Sequence, residues 1–252
     1  MTFKDYFSRQ SSDYAQYRPR YPRELFGYLA SLCETCDRAW DCATGNGQAA
    51  LELARLFSQV VATDGSVTQI SQAQSHANIT YQVALADQSG LADHSVNLVT
   101  VAQAAHWFDL GDFYTEVQRV VKPGGIVALW CYELMTISEA MDPLIHYFYR
   151  TVVDPYWPPE RALVENHYRT LPFPFSEIAA PSFQMQTTWT LEQLYGYLFT
   201  WSASQNYLEA TGQNPLNEVS DRFLAAWGDF HEPKSIHWPI HLRVGAVSPP
   251  GT

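Results

Sequence analysis

Long apolar segments are missing from this sequence, and cysteine is scarce. No apolar stretch approaches the ~18 residues that a membrane-spanning helix needs, so we expect no membrane span. The first ten residues are polar and lack the apolar region of a secretion signal. The chain has 4 cysteines in 252 residues, too few for a disulfide scaffold of this size. Together these features predict a reduced, cytoplasmic protein.

Positive charge is also in short supply. The chain has 15 lysines and arginines against 26 aspartates and glutamates, which gives a net charge of −11. No basic run stands out, and an acidic surface repels phosphate groups. Nucleic acids and membranes are therefore disfavoured as partners, and a small molecule is expected instead.

Metal ligands do not occur at the spacing of a known site. Cys33 and Cys36 form a C-x-x-C pair, but no second pair of ligands stands nearby, so we interpret them as part of a helix end. Four other candidates lie late in the chain: His231, Glu232, His237 and His241. Pro239 interrupts any helical face that would join the last two. The sequence therefore predicts no metal site.

The composition is that of a folded globular protein, with 46% hydrophobic and 16% charged residues. From residue 39 onward, short apolar runs alternate with helical patterns. We predict seven strands, at 39–42, 60–63, 80–85, 96–102, 126–131, 183–190 and 236–247. We predict helices at 24–33, 48–57, 67–76, 113–121, 191–200 and 218–227. This alternation is typical of βαβ units and predicts an α/β fold, with a mostly parallel sheet covered by helices on both faces.

The same pattern divides the chain into four parts. Residues 1–38 form an N-terminal arm and helix, and residues 39–131 form the core of the ligand-binding fold. Residues 132–181 are rich in proline and aromatic residues, which predicts a cap over a pocket. Residues 182–252 complete the same fold with the late strands.

A glycine-containing loop joins the first strand to the first helix. Gly45 and Gly47 let the backbone turn tightly and approach a ligand at the carboxyl end of the sheet. The spacing Gly45-x-Gly47-x-x-Ala50, with Asp64 19 residues after Gly45, fits a dinucleotide site. Asp41 argues for another cofactor, S-adenosylmethionine (SAM), because a carboxylate beside the loop repels a pyrophosphate and favours a ligand that carries an ammonium and a sulfonium.

The order Asp41-x-Ala43-x-Gly45-x-Gly47 resembles motif I of the class I SAM-dependent methyltransferases, which reads acid-x-Gly-x-Gly-x-Gly. The resemblance implies their Rossmann-like fold with a seven-stranded sheet, and SAM as the cofactor. Ala43 replaces the first glycine of the motif. We expect the loop either to differ slightly there or not to need a positive φ, since alanine tolerates only negative φ at low cost.

Two acids further along the chain match the same family. The resemblance implies that Asp64, followed by Gly65, accepts hydrogen bonds from the ribose hydroxyls. A plain helix N-cap is the alternative for this aspartate. Ala86 and Asp87 follow the third strand, where the family binds the adenine. The alternative for Asp87 is a surface turn.

The stretch from Gln103 to Asp109, which contains His106-Trp107-Phe, resembles the type 11-like subgroup that includes relatives of trans-aconitate methyltransferase. By that resemblance Gln103 contacts the cofactor, and His106 and Trp107 contact the methyl acceptor. His106 is also the best candidate for a general base. The alternative is a histidine that is hydrogen-bonded to the backbone beside Trp107.

Three further stretches complete the resemblance. The family's usual acid on the fourth strand is Asn97 here, and that position is structural in the family. Residues 122–125, Lys-Pro-Gly-Gly, match its motif III turn. The segment that begins at Tyr14 resembles a subgroup strap that closes over SAM, which places Tyr17 and Arg18 near the methionyl carboxylate. The alternative is an aromatic arm packed on the domain.

The sequence thus predicts a SAM-dependent methyltransferase of a small molecule, with S-adenosylhomocysteine as product. The subgroup suggests carboxyl O-methylation, a reaction that needs no base. Three arginines could bind an acceptor carboxylate or belong to a solvated surface: Arg150, Arg161 and Arg169. Two alternatives stay open, an NAD-binding oxidoreductase and a SAM-binding protein without catalysis. The chain lacks a Tyr-x-x-x-Lys proton relay, which counts against the oxidoreductase.

Overall fold

The computed structural model describes residues 18–247 of the chain. Tyr14 and Tyr17 lie outside these residues. The strands are β1 (Arg38–Cys42), β2 (Gln59–Asp64), β3 (Ile79–Val83), β4 (Val96–Ala102), β5 (Val121–Tyr132), β6 (Ser176–Glu177), β7 (Phe183–Trp189) and β8 (Lys234–Ala246). The helices are α1 (Arg23–Ser31), α2 (Gln48–Leu53), α3 (Val67–Ser71), α4 (Leu110–Val120), α5 (Asp142–Tyr147), α6 (Arg161–Glu165), α7 (Leu191–Phe199), α8 (Ser202–Thr211) and α9 (Ser220–Trp227).

One sheet joins all the strands of the described residues, in the order β3-β2-β1-β4-β5-β8-β6, with β7 also paired to β8. Strands β1 to β5 run parallel, and β8 is antiparallel to β5. The α/β prediction with a mostly parallel sheet is confirmed. The seven predicted strands are all present, and the two-residue β6 is an addition.

Two hydrophobic cores lie on opposite faces of this sheet. Successive residues of β1 alternate between them, so that Ala39 belongs to one core and Trp40 to the other. Both residues are fully buried, as expected for a parallel strand that is covered on both faces. Burial on both faces explains why the central strands appear in the sequence as continuous apolar runs.

Several predicted elements end earlier than expected. Helix α2 stops at Leu53, and the next turn tightens, with Leu56 N–H bonded to the Leu53 carbonyl. Helix α3 stops at Ser71, because the following residues 72–76 are polar except for Ala73 and offer no large apolar side chain to bury. Helices α5, α6 and α8 were not predicted.

The Lys-Pro-Gly-Gly turn forms as a bulge inside β5. Val121 pairs with Val96 and Ile126 pairs with Leu98, so residues 122–125 loop out of the ladder. Gly124 has a φ of 75°, which glycine adopts at little cost. Asn97 accepts a hydrogen bond from the backbone N–H of Arg38 and another from Lys122 Nζ, both at 3.2 Å. These contacts lie far from the carboxyl ends of the strands and agree with the structural roles expected for both stretches.

Candidate active site

A cavity of about 530 Å³ opens at the carboxyl ends of the parallel strands. We call it the large cavity. Its walls are the loops that follow β1, β2, β3 and β4, together with residues 18–21. Nine residues predicted for the site line it: Arg18, Ala43, Gly45, Asp64, Gly65, Ala86, Asp87, Gln103 and Trp107. Its volume falls within the range of small-molecule sites.

The glycine loop keeps left-handed backbone at all three motif positions. Gly45 and Gly47 have φ of 57° and 89°, and Ala43 has φ of 54°. The expectation that Ala43 avoids a positive φ is therefore wrong. The alanine takes the left-handed conformation that the motif glycine provides, at a cost of about 1–2 kcal/mol. At Gly47 a Cβ atom would overlap the Tyr81 hydroxyl, so a larger residue there would displace the Tyr81 ring in addition to facing an unfavourable φ.

Asp41 holds the loop from below and does not line the large cavity. Its carboxylate is fully buried, and it accepts hydrogen bonds from Thr44 Oγ1 at 2.5 Å and Thr100 Oγ1 at 2.7 Å. Burial raises the pKa of Asp41 to about 6 against these hydrogen bonds. The expected direct contact of Asp41 with a cofactor is thus corrected to a supporting position beneath the loop.

Asp64 joins the loop to the next strand. Its two carboxylate oxygens accept hydrogen bonds from the backbone N–H groups of Gly45, at 2.9 Å, and Ser66, at 2.8 Å. The N-cap of α3 is Ser66, whose Oγ accepts from the Gln69 N–H. The alternative in which Asp64 is a plain N-cap is therefore wrong.

The lining of the large cavity is acidic. Among the described residues it carries one arginine, Arg18, and five carboxylates, from Asp64, Asp87, Asp109, Asp112 and Glu160. Such a wall repels the pyrophosphate of a dinucleotide and attracts the ammonium and sulfonium of SAM. The negative charge that was expected from Asp41 is thus present at the cavity, but other carboxylates supply it.

Arg18 lies where the large cavity meets a second, smaller one. Its guanidinium donates hydrogen bonds to the Tyr132 hydroxyl at 3.1 Å and to the Thr200 carbonyl at 3.4 Å. Its charge also lies 5.3 Å from the centre of the Tyr197 ring. Nearby, Tyr21 packs edge-on against Trp130, so the segment both lines the cavity and packs on the core.

Gln103 makes the wall beside Arg18. Its side-chain amide donates to the Tyr132 carbonyl at 3.0 Å and accepts from the Tyr132 N–H at 2.7 Å. Its backbone is left-handed, with φ of 56°. These two hydrogen bonds of Gln103 join the end of β4 to the end of β5, where the two cavities meet.

The second cavity, which we call the small cavity, has a volume of about 60 Å³. It shares four wall residues with the large cavity: Arg18, Gln103, Trp107 and Tyr132. Its other walls are His106, Glu133, Trp157, Pro158, Arg161, Tyr197, Trp201 and Ser202. Several of these residues lie in or beyond the 132–181 segment, far in sequence from the cofactor motifs.

His106 is buried in the wall of the small cavity, with 8% of its surface exposed. Its Nδ1 lies 2.7 Å from the Tyr168 hydroxyl, so its partner is a side chain rather than the backbone. Burial, and then the positive charge of Arg161, lower the pKa of His106 to about 3. A neutral imidazole of such low basicity is a poor proton acceptor at neutral pH, which argues against His106 as the general base.

Of the three arginines considered for an acceptor carboxylate, Arg161 lines the small cavity. Its Nε donates to the Tyr149 hydroxyl at 2.7 Å, and that hydroxyl donates to Glu165 at 2.6 Å. The Trp157 ring lies under the guanidinium, with 4.6 Å between charge and ring centre. Arg150 instead pairs with Glu165 at the surface, 2.9 Å apart. Arg169 is exposed.

Comparison with known proteins agrees with this geometry. Residues 40–129 match the type 11 methyltransferase domain. A protein named as a methyltransferase from Dictyostelium discoideum is 33% identical over 229 residues, which is 89% of this chain and 87% of that protein. A solved structure described as a type II methyltransferase from Anaeromyxobacter dehalogenans is 42% identical, with a TM-score of 0.87 over 92% of this chain and 99% of that one. The C-methyltransferase UbiE of Rubrivivax gelatinosus is 33% identical over 118 residues, only 45% of each chain.

The fold and the large cavity define a class I methyltransferase. The chain belongs to the family of SAM-dependent methyltransferases, and SAM is its cofactor. The oxidoreductase alternative is not favoured. None of the helices between residues 18 and 247 is long and apolar enough to cross a membrane.

Proposed function

We propose that the chain methylates a carboxylate oxygen of a small organic acid. In this proposal SAM binds in the large cavity, and the carboxylate end of the acid enters the small cavity. The observation that carries the proposal is the position of Arg161, whose guanidinium lines the small cavity.

On the cofactor side, four of the predicted residues have proposed contacts with SAM. The Asp64 carboxylate accepts hydrogen bonds from the ribose hydroxyls beside the glycine loop. Ala86 and Asp87 flank the adenine, and Arg18 pairs with the methionyl carboxylate. The acidic lining of the large cavity supports this orientation, because the single arginine lies at the end next to the small cavity, where the methionyl group must point for transfer.

On the acceptor side, neighbouring side chains hold the Arg161 guanidinium in a fixed orientation. Tyr149 occupies its Nε and Trp157 covers one face, while its two Nη groups donate no hydrogen bond to any residue between 18 and 247. A guanidinium edge held in this way suits a carboxylate, which accepts two such hydrogen bonds. The aromatic walls suit the carbon skeleton of the acid. The 132–181 segment then serves as the cap that supplies the acceptor site.

The chemistry of a carboxylate acceptor fits the weak basicity of His106. SAM supplies an electrophilic methyl group on a sulfonium. A carboxylate oxygen attacks the methyl carbon, the carbon–sulfur bond breaks toward sulfur, and a methyl ester and S-adenosylhomocysteine form. No proton moves, so the protein contributes mainly alignment of the two reactants. A neutral His106 beside Tyr168 can line such a site without acting as a base.

The test is a screen of small carboxylic acids, each paired with its carboxamide. Formation of S-adenosylhomocysteine and of the methyl ester is followed by mass spectrometry. The proposal predicts turnover of one or more acids and none of the matched amides. Turnover of amines or carbon nucleophiles alone would contradict carboxyl O-methylation, and SAM binding without turnover of any acceptor class would favour the non-catalytic alternative.

Arg161→Gln sharpens this test, with Arg150→Gln as its matched control. Loss of a charged hydrogen-bond partner costs about 1.5–3 kcal/mol, so KM for the acid should rise about 10- to 100-fold in Arg161→Gln. Arg150 does not line either cavity, and its variant should keep the KM of the wild type. An unchanged KM in Arg161→Gln would remove the residue from the acceptor site.

A further inference from the structure

Three side chains outside the functions assigned above converge at the end of β5. Glu133 follows β5 directly, His241 lies on the paired strand β8 opposite Cys131, and His167 follows α6. Their ligand atoms all lie within 4.8 Å of one another. Only His241 was among the candidate metal ligands in the sequence, and no metal site was predicted there, because Glu133 and His167 are 108 and 74 residues away in the chain.

The distances within this group are uneven. His167 Nε2 lies 2.7 Å from Glu133 Oε1, and His241 Nε2 lies 3.8 Å from the same oxygen. The two imidazole rings stack in parallel, with 3.6 Å between their centres and 5° between their planes. Both Nε2 atoms therefore compete for a single carboxylate oxygen.

Two features of this cluster destabilise the folded chain: buried nitrogen atoms without hydrogen bonds, and an unfavourable backbone conformation. His241 Nε2 and His167 Nδ1 are buried and form no hydrogen bond with any residue in the described range 18–247. A buried polar atom without a hydrogen bond destabilises the folded chain. His167 also holds a left-handed backbone, with φ of 57°, which is costly for a residue other than glycine. Strain at a cluster of polar groups is a pointer to function.

Two imidazoles and one carboxylate are a donor set that zinc enzymes and non-haem iron enzymes use. In a tetrahedral zinc site with bonds of about 2.0–2.1 Å, two ligand atoms lie about 3.3 Å apart. The separations of 2.7 and 3.8 Å from Glu133 Oε1 to the two Nε2 atoms bracket that value. A metal ion lies in the plane of each imidazole it binds, so at least one ring must turn out of the stack. With an ion bound, both Nε2 atoms would coordinate the ion instead of approaching the same Glu133 oxygen.

We propose that Glu133, His167 and His241 bind one divalent transition-metal ion, with Zn²⁺ as the ion that the donor set suits best. Three protein ligands leave a fourth position open, as in catalytic rather than structural zinc sites. Glu133 also lines the small cavity, so the ion would lie beside the acceptor site. Metal binding itself does not rest on the proposed function.

The experiment uses the full chain after dialysis against a chelator, with neither SAM nor an acceptor present. Zn²⁺ is titrated calorimetrically, and Co²⁺ is added as a spectroscopic probe of coordination geometry. Wild-type protein should bind one Zn²⁺ per chain with a dissociation constant below about 1 µM. It should also give the visible absorption of tetrahedral Co²⁺.

His167→Ala and His241→Ala should each weaken Zn²⁺ binding more than about 100-fold. Removal of a residue that only hydrogen-bonds to a metal ligand typically weakens binding about 10- to 100-fold, so the larger loss identifies a direct ligand. His237→Ala is the matched control, because His237 lies on the same strand β8 and outside the cluster. It should bind Zn²⁺ like the wild type. His241→Cys retains a zinc donor and should keep the ion, with a sulfur-to-cobalt charge-transfer band.

Circular dichroism and thermal unfolding of each variant separate loss of a ligand from loss of the fold. If the alanine variants unfold, His241→Cys decides the result through its charge-transfer band. The proposal is overturned if the wild type binds no Zn²⁺ saturably. It is equally overturned if His167→Ala and His241→Ala bind Zn²⁺ as His237→Ala does, or if folded His241→Cys shows no such band.

Discussion

The two cavities of this methyltransferase are built with opposite charge. The described walls of the large cavity carry five carboxylates and one guanidinium, whereas those of the small cavity carry the guanidiniums of Arg18 and Arg161 and one carboxylate, from Glu133. Arg18 belongs to both. A cofactor that bears positive charge and an acceptor that bears negative charge would each find its complement. The proposed pairing of a cationic cofactor with an anionic acceptor rests on this contrast, because each ligand would be attracted to the cavity of opposite charge.

The largest effect is expected from Asp64→Ala, which removes a carboxylate from the large cavity alone. Loss of the proposed ribose acceptor, and of the bonds to Gly45 and Ser66 N–H groups, should weaken binding of S-adenosylhomocysteine about 100-fold or more. Calorimetric titration measures this change. Asp93→Ala is the control, because Asp93 pairs with Arg119 at the surface and should leave the affinity unchanged. Equal affinity in Asp64→Ala and wild type would remove Asp64 from the cofactor site.

Gly47→Ala tests the backbone of the large cavity. The positive φ and the overlap with Tyr81 together should lower the free energy of unfolding by about 2–3 kcal/mol, measured by urea denaturation. Gly90→Ala is the matched control, since Gly90 has φ of 73° and open space around its Cβ position. It should lose only the conformational part, about 1 kcal/mol. Equal losses in the two variants would show that the Tyr81 contact has no cost.

The pH dependence of stability should distinguish two buried groups, His106 in the wall of the small cavity and Asp41 beneath the glycine loop of the large cavity. As the pH falls from 6.5 toward 3, the unfolded chain gains a proton on His106 that the folded chain, with a pKa of about 3, does not take up. This group therefore lowers the free energy of unfolding in acid. Asp41 acts in the opposite direction, because its folded pKa of about 6 lies above the unfolded value of 3.8, and the folded chain takes up its proton first.

The change in the free energy of unfolding between pH 4 and 7, measured by urea denaturation, checks the sign of both effects. His106→Gln should lose less stability on acidification than the wild type, and Asp41→Asn should lose more. The comparison depends only on the slope with pH, so a constant loss of stability in either variant does not affect it. Deviations of the same sign in both variants would contradict the assignment.

The smallest effect is expected from Ala43→Gly. Glycine relieves a left-handed φ of 54° but raises the entropy of the unfolded chain, so the net stabilisation should be about 0.5–1 kcal/mol. Affinity for S-adenosylhomocysteine should stay the same. A loss of stability on this substitution would mean that the alanine methyl group packs well enough to offset its strain.

The two cavities also differ in how far the sequence predicted them. The large cavity comes from loops that each follow a strand, so contiguous motifs such as the one around Gly45 identify its walls. The small cavity combines Trp107 with Trp157, Arg161 and Trp201, which come together only through packing of the later segments. Short helices such as α5 and α6, rich in proline and aromatic neighbours, carry no periodic pattern that would have predicted them.

Inside the predicted motifs, the sequence failed where burial decides the outcome. Asp41 was expected at the cofactor, but the structure buries it under the loop. His106 lines the small cavity, and its partner is the Tyr168 hydroxyl instead of a backbone group. The position of a residue in a motif does not reveal whether its side chain points into the cavity or away from it. The φ of Ala43 was missed for a related reason, since surrounding contacts can impose a conformation that the residue itself disfavours.

The most direct test of the division between the cavities is one set of titrations with S-adenosylhomocysteine, on wild type, Asp64→Ala and Arg161→Gln. The measurement needs no knowledge of the acceptor. The account predicts a loss of about 100-fold in Asp64→Ala and an affinity within about twofold of wild type in Arg161→Gln. A loss in Arg161→Gln as large as that in Asp64→Ala would show that Arg161 serves the cofactor, and the division into a cofactor cavity and an acceptor cavity would be wrong.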